Sequence, residues 1–426
     1  MLSVFLISVA LAAGQPPEAS PQPGVGAAGQ AVTLEEAVST VLSKSPGLKA
    51  SQARTDAARE SAKHAGAYPN PTVEVRSENW QFSSWAWTPV PEAGAPPALD
   101  FFTVLTQPIE IGGQRGRRAA IGAAERDAAE ARHAAALRLL VLDTVRAYVD
   151  ALRSREWLRA LDSNREGLET LLRAMRSRVR EGHTAEADLA KFQAEAARVE
   201  TQRLRARLDL GRSLSLLSIL MQEPATLRAD QLVEPAIRPS PPGDPARLAA
   251  QAADRSPEVL AARARAVMAR ETLALERARR VPDLNVSGGY KRTAGADTAV
   301  LGVLMAIPLF DRNSRAVAIA GGDSHAADFE LAAIEARARA DAQLVFEAAR
   351  TLGERATHVD AELLSPAELV RTAARTAFRE GATDILMLVD AERVYVDARR
   401  EAVQLKLDAI AAALEARLLL GEEIVR

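Results

Sequence analysis

A seven-residue repeat sustained from Leu137 to Leu220 constrains this chain more than any other feature. Small or apolar residues recur in pairs at Leu137/Leu140, Thr144/Ala147, Ala151/Ser154, Leu158/Leu161, Arg165/Leu168 and Leu172/Met175, with one charge in the whole seam. The pattern breaks at Arg180-Glu181-Gly182-His183-Thr184 and resumes at Ala185/Leu189, Phe192/Ala196, Val199/Arg203, Ala206/Leu210 and Ser213/Leu217. A heptad held this long is the signature of a coiled coil. Gly182 suits a left-handed helix end and Thr184 suits the cap of the next helix, so the stretch reads as two antiparallel helices turning at Gly182. At 1.5 Å per residue the first arm alone spans about 65 Å. That is longer than a compact domain requires, and it points to a tube or a stalk.

The unit occurs twice. Ser45-Pro46 and Ser256-Pro257 each restart a helix, and Pro69 and Pro282 end it. Two strand-length stretches follow in each half, and Pro108 and Pro308 then precede the long helices. Arg379-Glu380-Gly381-Ala382-Thr383 repeats the first turn, and a second seam runs from Ala338/Ala342 through Leu388/Ala391 to Ala416/Leu419. A period of about 200 residues means two structural halves rather than a solenoid. The expected organisation is a signal peptide over 1–13, a flexible leader over 14–32, a first repeat over 33–223, a proline-rich connector over 224–245, a second repeat over 246–421 and a tail over 422–426. Strands are expected at 72–80, 101–109, 284–292 and 299–307, and helical hairpins at 114–222 and 314–420. Thr33-Leu34-Glu35-Glu36 is a capping box. Ser365-Pro366-Ala367-Glu368 has the form of a helix start inside the second descending arm, and it predicts a kink near Leu364 in that half only.

The fold class is therefore mainly α with a small β part. Aromatic residues are 4% and hydrophobic residues 48% of the 426-residue chain, so alanine must build much of the core. A net charge of -2 gives no reason to propose nucleic acid. The absence of cysteine excludes disulfides, thiolate metal sites and a lipid-modified N-terminal cysteine. Met1 to Ala13 is apolar and ends in Ala10-Leu11-Ala12, a cleavage-like site, though it lacks a positive first region. No later run approaches the roughly 18 apolar residues of a membrane helix, so any membrane entry is by strands.

The strand stretches match the 9 to 11 residues or so of a tilted transmembrane strand. Trp80, Trp85 and Trp87, with Phe101 and Phe102, fall at the first pair, as an interfacial girdle requires. From these residues alone a soluble hairpin with a hydrophobic loop is an equal alternative. Four strands cannot close a barrel, and their open edges cannot sit in lipid. Three chains would supply about twelve strands, an even number typical of bacterial outer-membrane barrels, with the long helices continuing as a helical barrel.

The ordered, duplicated motifs resemble the TolC-type outer-membrane efflux proteins from Thr33 to Gly421. Tyr68-Pro69-Asn70-Pro71-Thr72-Val73-Glu74-Val75, Gln107-Pro108-Ile109-Glu110-Ile111-Gly112-Gly113-Gln114-Arg115-Gly116 and Pro308-Leu309-Phe310-Asp311-Arg312-Asn313 are similar to the CzcC-like heavy-metal branch. The resemblance implies a homotrimer in the outer membrane of a Gram-negative bacterium, extending into the periplasm. It also implies a periplasmic adaptor at the tunnel tip and an inner-membrane pump of the resistance-nodulation-division type. Heavy-metal cations are the expected cargo, and a drug-efflux or type I secretion duct is the alternative within the family. Outside it, a periplasmic adaptor would carry one hairpin rather than two, and a soluble coiled-coil scaffold would leave Val73, Val75 and Phe101 exposed.

His64, His133, His183, His325 and His358 have no ligand spacing, and the six methionines form no cluster, so no metal site, cofactor or enzyme activity is expected. Arg115, Arg117 and Arg118 read as a solvated helix start, with lipid-headgroup contact as the alternative. The turns Arg180-Glu181-Gly182 and Arg379-Glu380-Gly381 lie farthest from the strands and are expected to dock the adaptor. The resemblance places Asp390 at the periplasmic entrance, with Met387 at the position of a second entrance aspartate. Asp384, one turn earlier, is as well explained as a helix N-terminal acid, and a solvated helix face is the alternative for Asp390.

Overall fold

The computed structural model describes residues 31–78, 80–83, 86–89, 100–182, 185–223, 227–236, 241, 243–293 and 295–422. The expected signal peptide, nearly all of the leader, the last residues of the tail and Trp85 lie outside the described residues. The chain begins with α1 (Leu34–Lys44) and α2 (Pro46–His64), then β1 (Thr72–Glu78), β2 (Trp80–Ser83), β3 (Ala86–Pro89) and β4 (Asp100–Ile109). Next come α3 (Gln114–Arg180), α4 (Glu186–Leu220), a 3-10 turn at Ala229–Gln231, α5 (Pro245–Asp254) and α6 (Pro257–Ala278). The second half continues with β5 (Leu284–Thr293), β6 (Ala296–Met305), α7 (Ser314–Val359), a π turn at Asp360–Leu364, α8 (Ser365–Arg379) and α9 (Ile385–Leu419).

Local chemistry sets these boundaries. Thr33 Oγ1 accepts the Glu36 N–H at 3.1 Å while Glu36 Oε2 accepts the Thr33 N–H at 2.9 Å, the reciprocal cap of α1. Ser45 then caps α2, with Pro46 in its first turn. The 67 residues of α3 form one unbroken helix, about 100 Å long at 1.5 Å per residue. Its second-half counterpart is interrupted by the π turn directly before Ser365 and Pro366. A proline ring lacks the N–H and crowds the carbonyl four residues back. The extra residue of a π turn relieves both.

The seam residues pack as their spacing requires. Thr144, Ala147, Ala151, Leu161, Leu168, Leu172 and Met175 of α3 are buried, as are Phe192, Val199, Ala206, Leu210 and Leu217 of α4. Helices α3 and α9 are the inner pair, with α4 packed on α3 and with α7 and α8 packed on α9. Gly122 lets α2 approach α3 closely, since a Cβ there would stand 2.5 Å from Ala65 Cβ. At the root of the arm, Tyr148 ties the segment before α1 to the connector. Its hydroxyl lies 2.7 Å from the Val32 carbonyl oxygen and 2.6 Å from that of Val233, and accepts the Val233 N–H at 3.0 Å. Burial pushes its pKa up to about 12.

Strands β1, β4, β5 and β6 form one antiparallel sheet in the order β1-β4-β5-β6, so the β4–β5 pair joins the two repeats. The sequence placed the last pair at 284–292 and 299–307. Pairing instead runs to Thr293↔Ala296, because Gly295 at φ +84° permits a tighter turn. The tryptophan-rich connection is itself a hairpin, β2–β3. Among the described residues, no helix is long and apolar enough to cross a membrane.

Candidate functional site

Alternation divides the four-stranded sheet into two faces. Register aligns Val73 with Leu105, Leu105 with Gly288 and Gly288 with Leu301, so Val73, Val75, Phe101, Leu105, Val286, Tyr290, Leu301 and Val303 share one side. Leu301 is 88% exposed and Val303 68%. The other side carries Glu74, Arg76, Glu78, Phe102, Ser287 and Lys291. One face is mainly apolar, with Arg292 and Asp297 at its loop end; the other carries most of the charge, with Leu304 at its helix end.

Phe101 and Phe102, both expected in the girdle, are adjacent in β4 and lie on opposite faces of the sheet. The Arg76 guanidinium lies 5.0 Å and the Lys291 ammonium 4.8 Å from the Phe102 ring centroid. Phe102 therefore belongs to the charged face and Phe101, 40% exposed, to the apolar one. Trp80 and Trp87 lie in β2 and β3.

Where the sheet meets the helices, the arginine cluster has partners. Arg115 Nε donates to the Gly66 carbonyl at 2.7 Å and Arg118 Nη2 to that of Ala67 at 2.8 Å, so both hold the segment that leaves α2. Arg118 also pairs with Glu110, and Arg117 with Glu271 at 3.0 Å. Gln114 Nε2 donates to the Val281 carbonyl at 3.2 Å, and Asn313 Nδ2 to that of Glu276 at 2.9 Å. Each long helix thus begins tied to the end of α6. Pro108 and Pro308 marked these starts in the sequence, but not their partners.

At the far end, Gly182 and Gly381 adopt φ +75° and +74°, with open space where a Cβ would stand. The turns need glycine for backbone conformation and not for room. Arg180, Glu181, Arg379 and Glu380 are all exposed. The two tips are joined: Arg178 reaches the carbonyl oxygens of Phe378 and Arg379, each at 3.5 Å. Higher up, Glu195 of α4 is 4% exposed and accepts hydrogen bonds from Arg198 at 2.6 Å and from Arg393 of α9 at 3.1 Å. Burial opposes its charge, but the hydrogen bonds from Arg393 and Arg198 outweigh it and hold the carboxyl below the usual range. Glu392, 2% exposed, is paired with Arg375 of α8.

The three residues expected at the entrance have different settings. Asp384 Oδ1 accepts the Met387 N–H at 3.0 Å and is the N-cap of α9. Met387, 65% exposed, and Asp390, also exposed, lie three residues apart on one helix face. Among the described residues, no group of three or more His, Asp or Glu side chains is placed to hold a metal ion.

A sequence profile described as outer membrane efflux protein matches residues 37–221 and 248–422, one segment in each repeat. The cobalt-zinc-cadmium resistance protein CzcC of Cupriavidus metallidurans is 26% identical over 86% of this chain and 85% of its own length. The nickel and cobalt resistance protein CnrC of the same organism is 29% identical over 65% of this chain and 63% of its own. The crystal structure of the outer membrane protein VceC from Vibrio cholerae superposes with a TM-score of 0.75 at 20% identity, covering 91% of this chain and 96% of that one. Its fold is this fold. With both repeats matched, the chain belongs to the outer membrane efflux protein family.

Proposed function

We propose that three copies of this chain form an exit duct, a β-barrel in the outer membrane continued by a helical barrel across the periplasm. The observation that carries the reading is the four-stranded sheet with one mainly apolar face, one mainly charged face and two edges, β1 and β6, left without strand partners among the described residues. Lipid accepts a sheet only when every edge is paired. Pairing β6 of one copy with β1 of the next closes about twelve strands from three copies. The flanks of the helical arm support the same closure. Leu204, Leu208, Leu216 and Ile219 are exposed along α4 on one flank, and Leu344, Leu369 and Val370 along α7 and α8 on the other. Stacking copies head to tail would cover both.

The cargo reading is heavy-metal cations, supported by what the curated relatives are named for: resistance to cobalt, zinc, cadmium and nickel. An inner-membrane resistance-nodulation-division pump supplies the energy, and a periplasmic adaptor meets the two glycine turns. The duct itself is passive. The test is a deletion strain grown against divalent metals, monovalent copper and silver, and hydrophobic drugs. Hypersensitivity to divalent metals, restored by this gene, is expected; hypersensitivity to drugs alone would reassign the cargo.

A further inference from the structure

Midway along the helical arm, α3, α4 and α9 bound a cavity of about 160 Å³. Three guanidinium groups line it: Arg153 from α3, and Arg399 and Arg400 from α9. Two carboxylates line it as well, Glu156 and Asp209, and both are engaged with other cations. Glu156 pairs with Arg155 and Arg159, each at 2.8 Å, and Asp209 lies 3.5 Å from Arg212.

The three cations have less to hold. Arg153 directs its terminal nitrogens to Asp150 and Asp408, and its Nε is buried with no acceptor among the described residues. Arg399 donates to the Tyr395 hydroxyl at 3.4 Å, and the Arg400 guanidinium lies 5.1 Å from the Trp157 ring centroid. Neither is in an ion pair among the described residues. A buried donor calls for an acceptor, and guanidinium groups gathered at one cavity repel one another unless a negative charge stands between them. The face of Trp157 keeps Arg400 in this arrangement.

Size narrows the ligand. The cavity is far below the roughly 300–1,000 Å³ of a site for a drug-sized molecule, yet several times the share of one water, about 30 Å³. Guanidinium groups bind oxyanions through paired N–H donors that meet two oxygens. We propose that this cavity binds a tetrahedral inorganic oxyanion of the phosphate type, held by Arg399 and Arg400 with Arg153 and bounded by Trp157. Arg153 belongs to the first repeat and the other two to the second, so the ion braces the repeats across the inner helix pair. All three helices come from one chain, and a single copy carries the whole site.

Trp157 reports on the cavity directly. In the full-length protein in mild detergent at constant ionic strength, inorganic phosphate is expected to change tryptophan fluorescence saturably, and chloride is not; the change should vanish in Trp157→Phe. Arg399→Gln with Arg400→Gln should weaken phosphate binding, measured by isothermal titration, about tenfold or more. Arg205→Gln, exposed on α4 and outside the cavity, should bind as the unaltered protein does. Saturating phosphate should raise Tm by a few degrees in the unaltered protein and leave the double variant unmoved. The absence of a saturable phosphate response in the unaltered protein overturns the proposal. So does undiminished affinity in the double glutamine variant, or a fluorescence change that persists in Trp157→Phe.

Discussion

The Arg178 guanidinium lies 5.3 Å from the ring centroid of Phe378, so the tip of the first hairpin is stacked on the tip of the second. The same side chain caps the end of α8 through the Phe378 and Arg379 carbonyls. A cation at a helix C-terminus and over an aromatic face contributes about 0.5–1 kcal/mol at an exposed site. The two glycine turns, 199 residues apart in the numbering of Gly182 and Gly381, therefore present a single platform. Spin labels at Arg180 and Arg379 should give a narrow distance distribution that broadens in Arg178→Ala; equal widths would show that the stack does not couple the tips.

Replacing the turn glycines separates conformation from recognition. Gly182→Ala or Gly381→Ala forces an L-residue into left-handed space at a cost of about 1–2 kcal/mol. Gly182→Leu and Gly381→Leu add a side chain that points into solvent, where an adaptor would sit. Export should be abolished in the leucine variants while assembled protein still reaches the outer membrane. Loss of assembly would leave the turns a purely structural role.

Glu195 makes the α4–α9 link sensitive to acid. Its folded carboxyl is held below the unfolded value, so its contribution is complete at neutral pH. As pH falls past the ordinary glutamate value of about 4.3, the unfolded chain takes up its proton first, and the contribution is lost as pH passes through the lower folded value. Glu195→Gln should cost about 1–3 kcal/mol at pH 7, toward the lower end because Arg198 and Arg393 are half exposed. Thermal unfolding at pH 7 and pH 3.5 should show the variant's deficit shrinking in acid.

The two sheet faces predict opposite tolerances. Arginine at Leu301 or Val303 should destabilise the membrane-inserted protein by about 2–4 kcal/mol at mid-bilayer depth. Phe102→Ala should leave insertion intact and free Arg76 and Lys291 to move. Heat resistance of the membrane-extracted assembly distinguishes them, and a tolerated Leu301→Arg would mean that this face does not meet lipid.

Asp390, exposed on α9 beside Met387, is proposed to line the duct's periplasmic entrance. Three carboxylates around a symmetric opening favour cations. In planar bilayers Asp390→Ala should lower cation preference and weaken block by multivalent cations. Unchanged selectivity in a correctly assembled channel would place Asp390 away from the pore.

Much of this architecture was legible because heptad spacing, glycine and proline act locally. The seam from Thr144 to Met175, the left-handed Gly182 and the break before Pro366 all follow from residues within a turn or two of one another. What escaped depends on pairs distant in sequence. Nothing near Glu195 announces Arg393, 198 residues away, and nothing near Arg178 announces Phe378. Phe101 and Phe102 were read together because both are aromatic; only the register with β1 and β5 separates them. Arg115 and Arg118 looked solvated because their acceptors are backbone carbonyls just after α2, which no side-chain pattern records.

The most direct test of the central claim is native mass spectrometry of the protein extracted from outer membranes in mild detergent. Three chains per particle are predicted, recovered from the outer-membrane fraction, because only closure between copies pairs β1 with β6. A particle of one chain, or recovery from the soluble periplasmic fraction, would contradict the account.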